Sequence, residues 1–291
     1  MATFAKSDFT PRYKEGEVKS RTRLIGLELE VMRSDRETTE WLEDAHDSIT
    51  GFAGFGYDGD DIEIVTDPVS ENYIPENGGA IKNVFKVITD NECEACIGGG
   101  THINISKLDA DYKYTYDNIM WLSIVYNQQI EKIFGRHSHW ARSPLDQYNW
   151  FGRSAQRRII KNAQLAQRMF SIFVKEVEGV SQAMSKSNNK HLMVVDKGNR
   201  YEFRGAKSSV NLEECLAWSE FCLNMTRIAA TNKNLTNVKF SDLLVGPHIE
   251  AYVKQIGEQT ESRKLEKEEL KDYATRKKML TIIDEGDFLY E

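Results

Sequence analysis

The sequence predicts an α+β fold: a sheet with one acidic face, and helices packed against its other side. Two patterns carry this reading. Short segments alternate apolar with charged residues at period two, and longer ones place apolar residues at i, i+3, i+4 and i+7. Composition agrees, because only 5 prolines and 19 glycines among 291 residues leave regular structure dominant.

Residues up to about Ser20 are polar without a period and read as an arm (1–20). Arg23 to Val31 then places Ile25, Leu27, Leu29 and Val31 on one side of a strand, with Gly26, Glu28 and Glu30 on the other. A short helix is expected over Thr38–Ile49. Gly51, Gly54, Gly56 and Gly59 mark a loop. The segment Asp60 to Val65 is a second strand, Asp61, Glu63 and Val65 facing one way and Ile62 and Ile64 the other; Asp67-Pro68 stops it. Gly79–Thr89 reads as a helix burying Val84, Phe85 and Ile88.

The third strand follows Gly98-Gly99-Gly100, with His102 and Asn104 on one face and Ile103 and Ile105 on the other. The three glycines read either as a tight turn or as close backbone approach to a phosphate. Long helices are expected over Asp117–Phe134 and Asn162–Met184. Between them lies a basic, aromatic segment holding Arg136, Arg142, Trp140, Trp150, Arg153 and Arg157. The fourth strand, Arg200 to Arg204, puts Glu202 and Arg204 on one face and Tyr201 and Phe203 on the other. Asn211 then caps a helix that buries Leu216, Phe221, Met225 and Ile228. From about Asn232 the chain is helical and increasingly charged, with Glu258–Lys278 as a solvated surface helix.

The balance of 38 Lys and Arg against 45 Asp and Glu, net −7, argues against wholesale wrapping of nucleic acid. No apolar run reaches the roughly 18 residues of a membrane span, and the N-terminus lacks a signal pattern, so the expectation is a cytoplasmic protein with no membrane partner. The 4 cysteines are too few for a disulfide scaffold. Cys93-x-x-Cys96 lacks nearby partners for a zinc site, and Cys215 and Cys222 sit at i and i+7 of a helix; all four read as buried or half-buried thiols.

The recurrence of charged strand faces carries the chemistry. Glutamate is depleted in strands and like charges close together on a sheet repel, so Glu28, Glu30, Asp61, Glu63 and Glu202 on one sheet need something to hold them. Uncompensated, they would raise one another's pKa values. Carboxylates with one imidazole suit magnesium or manganese better than zinc. Two such ions bridge phosphate oxygens, which fits phosphoryl transfer from a nucleotide. Arg204, on the face of Glu202, is placed to meet a phosphate or carboxylate.

The order Gly26-x-Glu28-x-Glu30, Asp58-Gly59 with Glu63-Ile64-Val65-Thr66-x-Pro68, Gly100-x-His102-x-Asn104 and Tyr201-Glu202-Phe203-Arg204 resembles the amidoligases of phages and bacteria. These are carboxylate–amine ligases related to glutamine synthetase and glutamate–cysteine ligase. The resemblance runs from about Arg23 to Met225, and only the four short motifs are specific. It implies a glutamine-synthetase-like curved antiparallel sheet, helices on its outer face and a two-metal nucleotide site on its inner face. The domain would span 21–231, with 232–291 as a charged helical extension. By resemblance Glu28 and Glu30 bind two magnesium ions, Glu63 and Glu202 complete the shell, and His102 is a metal ligand or phosphate contact. Glu28, Glu63 and Arg204 are then the catalytic set, Arg204 stabilising the transferred phosphoryl group. The family commonly shows His-x-His where this chain has His102-x-Asn104, and the stretch from Asp58 to Glu63 is short.

The reaction implied is phosphorylation of a substrate carboxylate by magnesium- or manganese-bound ATP, followed by attack of an amine on the acyl phosphate. Asn104, Arg136, Arg142 and Arg204 are the nucleotide- and substrate-binding candidates. The Arg136 segment reads equally as a snorkelled surface loop. Alternatives are a nucleotide- or metal-binding module of the same fold without turnover, and a phage factor acting on nucleic acid through the Arg136–Lys161 stretch. A homo-oligomer is left open, and the phage resemblance would put the protein in the host cytoplasm.

Overall fold

The computed structural model describes residues 9–32, 53–58, 61–76, 78–135, 193–232, 235 and 237–264. The helices expected over 38–49 and 162–184, Arg136, Arg142 and the rest of their basic segment, and the charged run beyond 264 lie outside the described residues.

The fold is α+β. An eight-stranded sheet runs β2-β3-β1-β6-β8-β7, with β4 and β5 also paired to β1. The strands are β1 (Leu24–Met32), β2 (Ala53–Asp58), β3 (Asp61–Thr66), β4 (Val69–Ser70), β5 (Glu94–Ala95), β6 (Gly100–Ser106), β7 (Val194–Asp196) and β8 (Arg200–Lys207). Every pairing between them is antiparallel. The nine-residue β1 is the spine, since β3, β4, β5 and β6 all bond to it.

The period-two pattern is realised as read. Ile25, Leu27, Leu29 and Val31 are fully buried, and Ile62, Ile64, Ile103, Ile105, Tyr201 and Phe203 join them in one core. Against it pack α1 (Ile81–Asp90), α2 (Thr115–Val125), α3 (Asn127–Phe134) and α4 (Leu212–Thr231). The α4 helix is buried on most of its sides, its enclosed polar residues Ser219 and Thr226 bonding carbonyls one turn back and Glu220 bonding the His248 backbone. Asn211 caps it, its side chain accepting the Glu214 N–H at 3.1 Å. Phe134, Trp218, Phe221 and Tyr252 stack where α5 (Pro247–Lys264) crosses α4. Buried Glu220 of α4 fixes α5 by accepting the N–H groups of His248 and Ile249 at 3.0 and 2.8 Å.

Two expectations are corrected. Residues 53–58, expected as a glycine-marked loop, form strand β2, an edge strand paired residue for residue with β3. Glycine's low strand propensity is overridden because the ladder bonds are backbone bonds, and Asp58 and Asp61 are cross-strand partners, which explains the short spacing between the motifs. The single helix expected over 117–134 is two, broken at Tyr126, whose hydroxyl bonds the Val238 carbonyl. Among the described residues no helix is long and apolar enough to cross a membrane.

All four cysteines are buried and reduced. Cys93 and Cys96 flank extended β5, so at ~3.3 Å per residue their Cα atoms stand roughly 10 Å apart, beyond the ~7 Å a disulfide tolerates. Burial pushes the Cys215 thiol up to about 12, aided by the Glu214 charge and opposed by hydrogen bonds from Thr101 and Ser209; burial raises Cys222 well above its ordinary value. A thiol-reactive probe should therefore label Cys215 and Cys222 at the rate of unfolding, and only denaturant should make them fast. Rapid native labelling at either, read by mass spectrometry, contradicts this packing.

Candidate active site

The antiparallel register brings the four charged motifs onto one face. Across β1 and β6, Glu28 is the partner of His102 and Gly26 of Asn104. Across β1 and β3, Glu30 faces Glu63 and Glu28 faces Val65. Across β6 and β8, Asn104 faces Glu202 and Ser106 faces Arg200. Gly54 and Gly56 of the edge strand are partners of Val65 and Glu63, so no side chain stands beside Glu63 at those positions.

Between Thr101 and Ile103 the partner residues on β8 move from Ala206 to Phe203, three steps against two, so β8 carries an extra residue. This bulge lies at Arg204-Gly205, beside His102, where bulges commonly re-aim a side chain near a site. A Cβ on Gly205 would lie 2.7 Å from the Cε and 2.9 Å from the Cγ of Met193, so a larger residue there would have to displace that side chain.

One ligand atom from each of Glu28, Glu63 and His102 lies within 4.8 Å of the others. His102 is 2% exposed. Its Nδ1 is 3.1 Å from Glu28 Oε2, while Nε2 is buried, lacks a hydrogen-bond partner and stands 3.7 Å from Glu30 Oε1. Because an ionised carboxylate only accepts, Nδ1 is the donor toward Glu28, and the ring stands between two carboxylates, Glu28 on its Nδ1 side and Glu30 on its Nε2 side. Asn104 Nδ2 donates to the other Glu28 oxygen at 2.8 Å, and the Gly100 N–H donates to Glu30 Oε2 at 2.6 Å.

The glycine run is thus a turn with close approach, but to a carboxylate of this chain. Gly98 has φ +89°, and a Cβ on Gly99 would lie 2.9 Å from Glu30 Oε2 and 2.7 Å from Cys96 Cβ.

Toward β8 the face turns basic. Glu202, 1% exposed, meets Arg204 Nη1 and Lys197 Nζ, each at 2.7 Å. Arg204 Nε is buried and lacks a partner. Arg200 Nε donates to Asn104 Oδ1 at 2.8 Å.

The structure therefore brings Glu28, Glu63 and His102 together with Glu30 beside them, and sets Glu202 and Arg204 apart as an ion pair. Asn104 faces Glu28 and Arg200. Asp61 is the register partner of Asp58 at the start of β3. Sequence reasoning missed Arg200 and Lys197. Extending the Glu202–Arg204 alternation one step back would have found Arg200, whereas Lys197 lies in the β7–β8 turn, where no period applies.

Burial alone would push the Glu28 carboxyl up, but the His102 hydrogen bond and charge, the Asn104 hydrogen bond and the Arg200 charge outweigh it and hold it at about 2. The mutual pKa rise expected of an uncompensated cluster does not occur at this residue.

No family model matches the sequence, and no curated protein matches it. Among solved structures the chain is similar to a chain in the crystal structure of the complex between prokaryotic ubiquitin-like protein Pup and its ligase PafA. The identity is 10%, the TM-score 0.33, and the match covers 79% of this chain and 50% of that one.

A depressed carboxylate stabilises the fold above its unfolded value and loses that contribution as pH falls through the folded value. Glu28 should contribute up to about 3 kcal/mol, fully present above the ordinary 4.5 and lost as pH falls toward about 2. Denaturant titrations of wild type and Glu28→Gln should converge across that window. A constant gap between them from pH 6 to pH 2 contradicts the assignment.

Proposed function

We propose that the chain is an ATP-dependent carboxylate–amine ligase whose divalent-cation site is built on Glu28, Glu63 and His102. The observation that carries this reading is their convergence around a buried His102, whose Nε2 makes no hydrogen bond and faces the Glu30 carboxylate at 3.7 Å. A buried ring nitrogen left without a hydrogen bond is costly, and a metal ion is the natural acceptor of its lone pair. Two carboxylates and an imidazole form a mostly hard donor set, which fits magnesium or manganese. The ligation chemistry rests on the resemblance of the four motifs to amidoligases, and those motifs supply the residues of this face.

When bound, the cation neutralises charge on the phosphates of ATP. The remaining roles belong to the chain. Glu28 stays ionised at neutral pH and, with Asn104 and His102, presents one fixed orientation. Glu30, held by the Gly100 amide, flanks His102 as the candidate for a second ion. Arg204, Arg200 and Lys197 make the β8 side of the face basic, the side that would take the substrate carboxylate and stabilise the transferred phosphoryl group. Glu202 orients Arg204 in this arrangement, whereas the motif resemblance makes it a metal ligand. Residues 21–231 form the ligase domain in this reading, with 232–291 appended to it.

A second reading, a nucleotide- and metal-binding module without turnover, is favoured by Glu202, both of whose oxygens are already engaged by cations of the chain. ADP release from magnesium-ATP over pooled amino acids, polyamines, peptides and modified nucleotides separates the two. The ligase should release ADP with at least one pool, and Glu28→Gln and Glu63→Gln should each abolish release while leaving the melting transition cooperative. Magnesium-dependent ATP binding with no ADP from any pool establishes the module, and turnover retained in Glu28→Gln removes the site.

A further inference from the structure

We propose that Asn104 and Arg200 are positioning residues that fix the carboxylate of Glu28, an inference that rests on the metal-site reading above. Asn104 lies on β6 and is 9% exposed. Its Oδ1 accepts from Arg200 Nε at 2.8 Å, and its Nδ2 donates to Glu28 Oε1 at 2.8 Å.

These two bonds settle the orientation of the amide. A guanidinium only donates, so the amide oxygen must face Arg200; an ionised carboxylate only accepts, so the amide nitrogen must face Glu28. A flipped amide would set nitrogen against nitrogen and oxygen against oxygen, losing both bonds at once. Arg200 thereby dictates the rotamer with which Asn104 addresses Glu28.

Glu28 Oε2 meets His102 Nδ1, so the carboxylate has a donor on each oxygen and cannot turn about its last torsion without breaking one of them. The chain of contacts runs Arg200 to Asn104 to Glu28, with His102 closing it from the other side. One lone pair of the Asn104 Oδ1 and one hydrogen of its Nδ2 are thus committed to holding Glu28 and Arg200 in place. An imidazole at this position would present a ring nitrogen to the site, whereas the amide relays the hold of Arg200.

Outer residues that orient a ligand typically change metal affinity by 10- to 100-fold when removed. The test is Mn2+ affinity, measured by electron paramagnetic resonance on the full chain for wild type, Glu28→Gln, Asn104→Leu, Arg200→Met, the Asn104→Leu/Arg200→Met double variant and Arg200→Lys. Asn104→Leu and Arg200→Met should each weaken binding about tenfold or more. The double variant should be no weaker than the poorer single, because the two act in series, and Arg200→Lys, which keeps a donor, should recover most of the loss. Since Asn104→Leu leaves buried polar groups unpaired, Arg200→Met at a half-buried residue decides the matter if the leucine variant does not fold.

Wild-type affinity in Arg200→Met, or losses that add in the double variant, overturns the positioning role and leaves the metal site standing when Glu28→Gln abolishes binding. A wild-type chain that binds no Mn2+ overturns the metal-site reading and this inference with it.

Discussion

The structure depends on the register of β1 between β3 and β6. A one-residue slip in either ladder would turn Glu28 and Glu30 into the core and Ile25, Leu27, Leu29 and Val31 out of it. The site is therefore fixed from behind. Each fully buried aliphatic side chain on the reverse face contributes about 1.5–3 kcal/mol relative to an exposed one, more than the few tenths to about 1 kcal/mol at stake in a cross-strand charge pair. The apolar face wins, and the carboxylates are held opposite one another although they repel, with Glu30 across from Glu63.

The same register distributes the charges that make this arrangement tolerable. Glu28 is held by His102, Asn104 and the field of Arg200, and Glu202 by Arg204 and Lys197. These three cations come from β8 and the turn before it, so the face is acidic over β3 and β1, polar at β6, where His102 and Asn104 stand, and richer in cations at β8. In the proposed ligase reading the two sides would divide the work, cation-neutralised phosphates at the acidic one and a substrate carboxylate met by guanidinium at the other. The charge of the chain, −7 overall, carries less information than this placement.

Much of this was legible because alternation is a local property. Reading Leu29 and Glu30 as neighbours is enough to know that they face opposite ways, and the same holds for Ile103 and Asn104. What was not legible is non-local. That Glu202 is already neutralised depends on Lys197, which reaches it from a turn, and that Asn104 faces Glu28 depends on a ladder bond between β6 and β1. β2 escaped notice because its glycines carry no side-chain pattern, although its backbone pairs as well as any other. The break at Tyr126 escaped because the apolar period runs on through it, as do the backbone bonds of Tyr126 to Leu122 and of Ile130 to Tyr126.

The Cys93–Gly100 loop shows how little room the site leaves. Cys96 closes the turn that delivers the Gly100 amide to Glu30, and its backbone N–H is held by Ser208 Oγ at 3.0 Å. Gly99 fills the gap between Cys96 and the Glu30 carboxylate, where even a methyl group would collide with both. The thiol thus packs beside the acidic face without joining the converging set, which remains two oxygens and a nitrogen. Softer thiolate ligation would favour zinc, and the converging set of Glu28, Glu63 and His102 contains no thiol. Cys96 and the glycine run in this respect act together, packing on either side of the position from which the Gly100 amide holds Glu30.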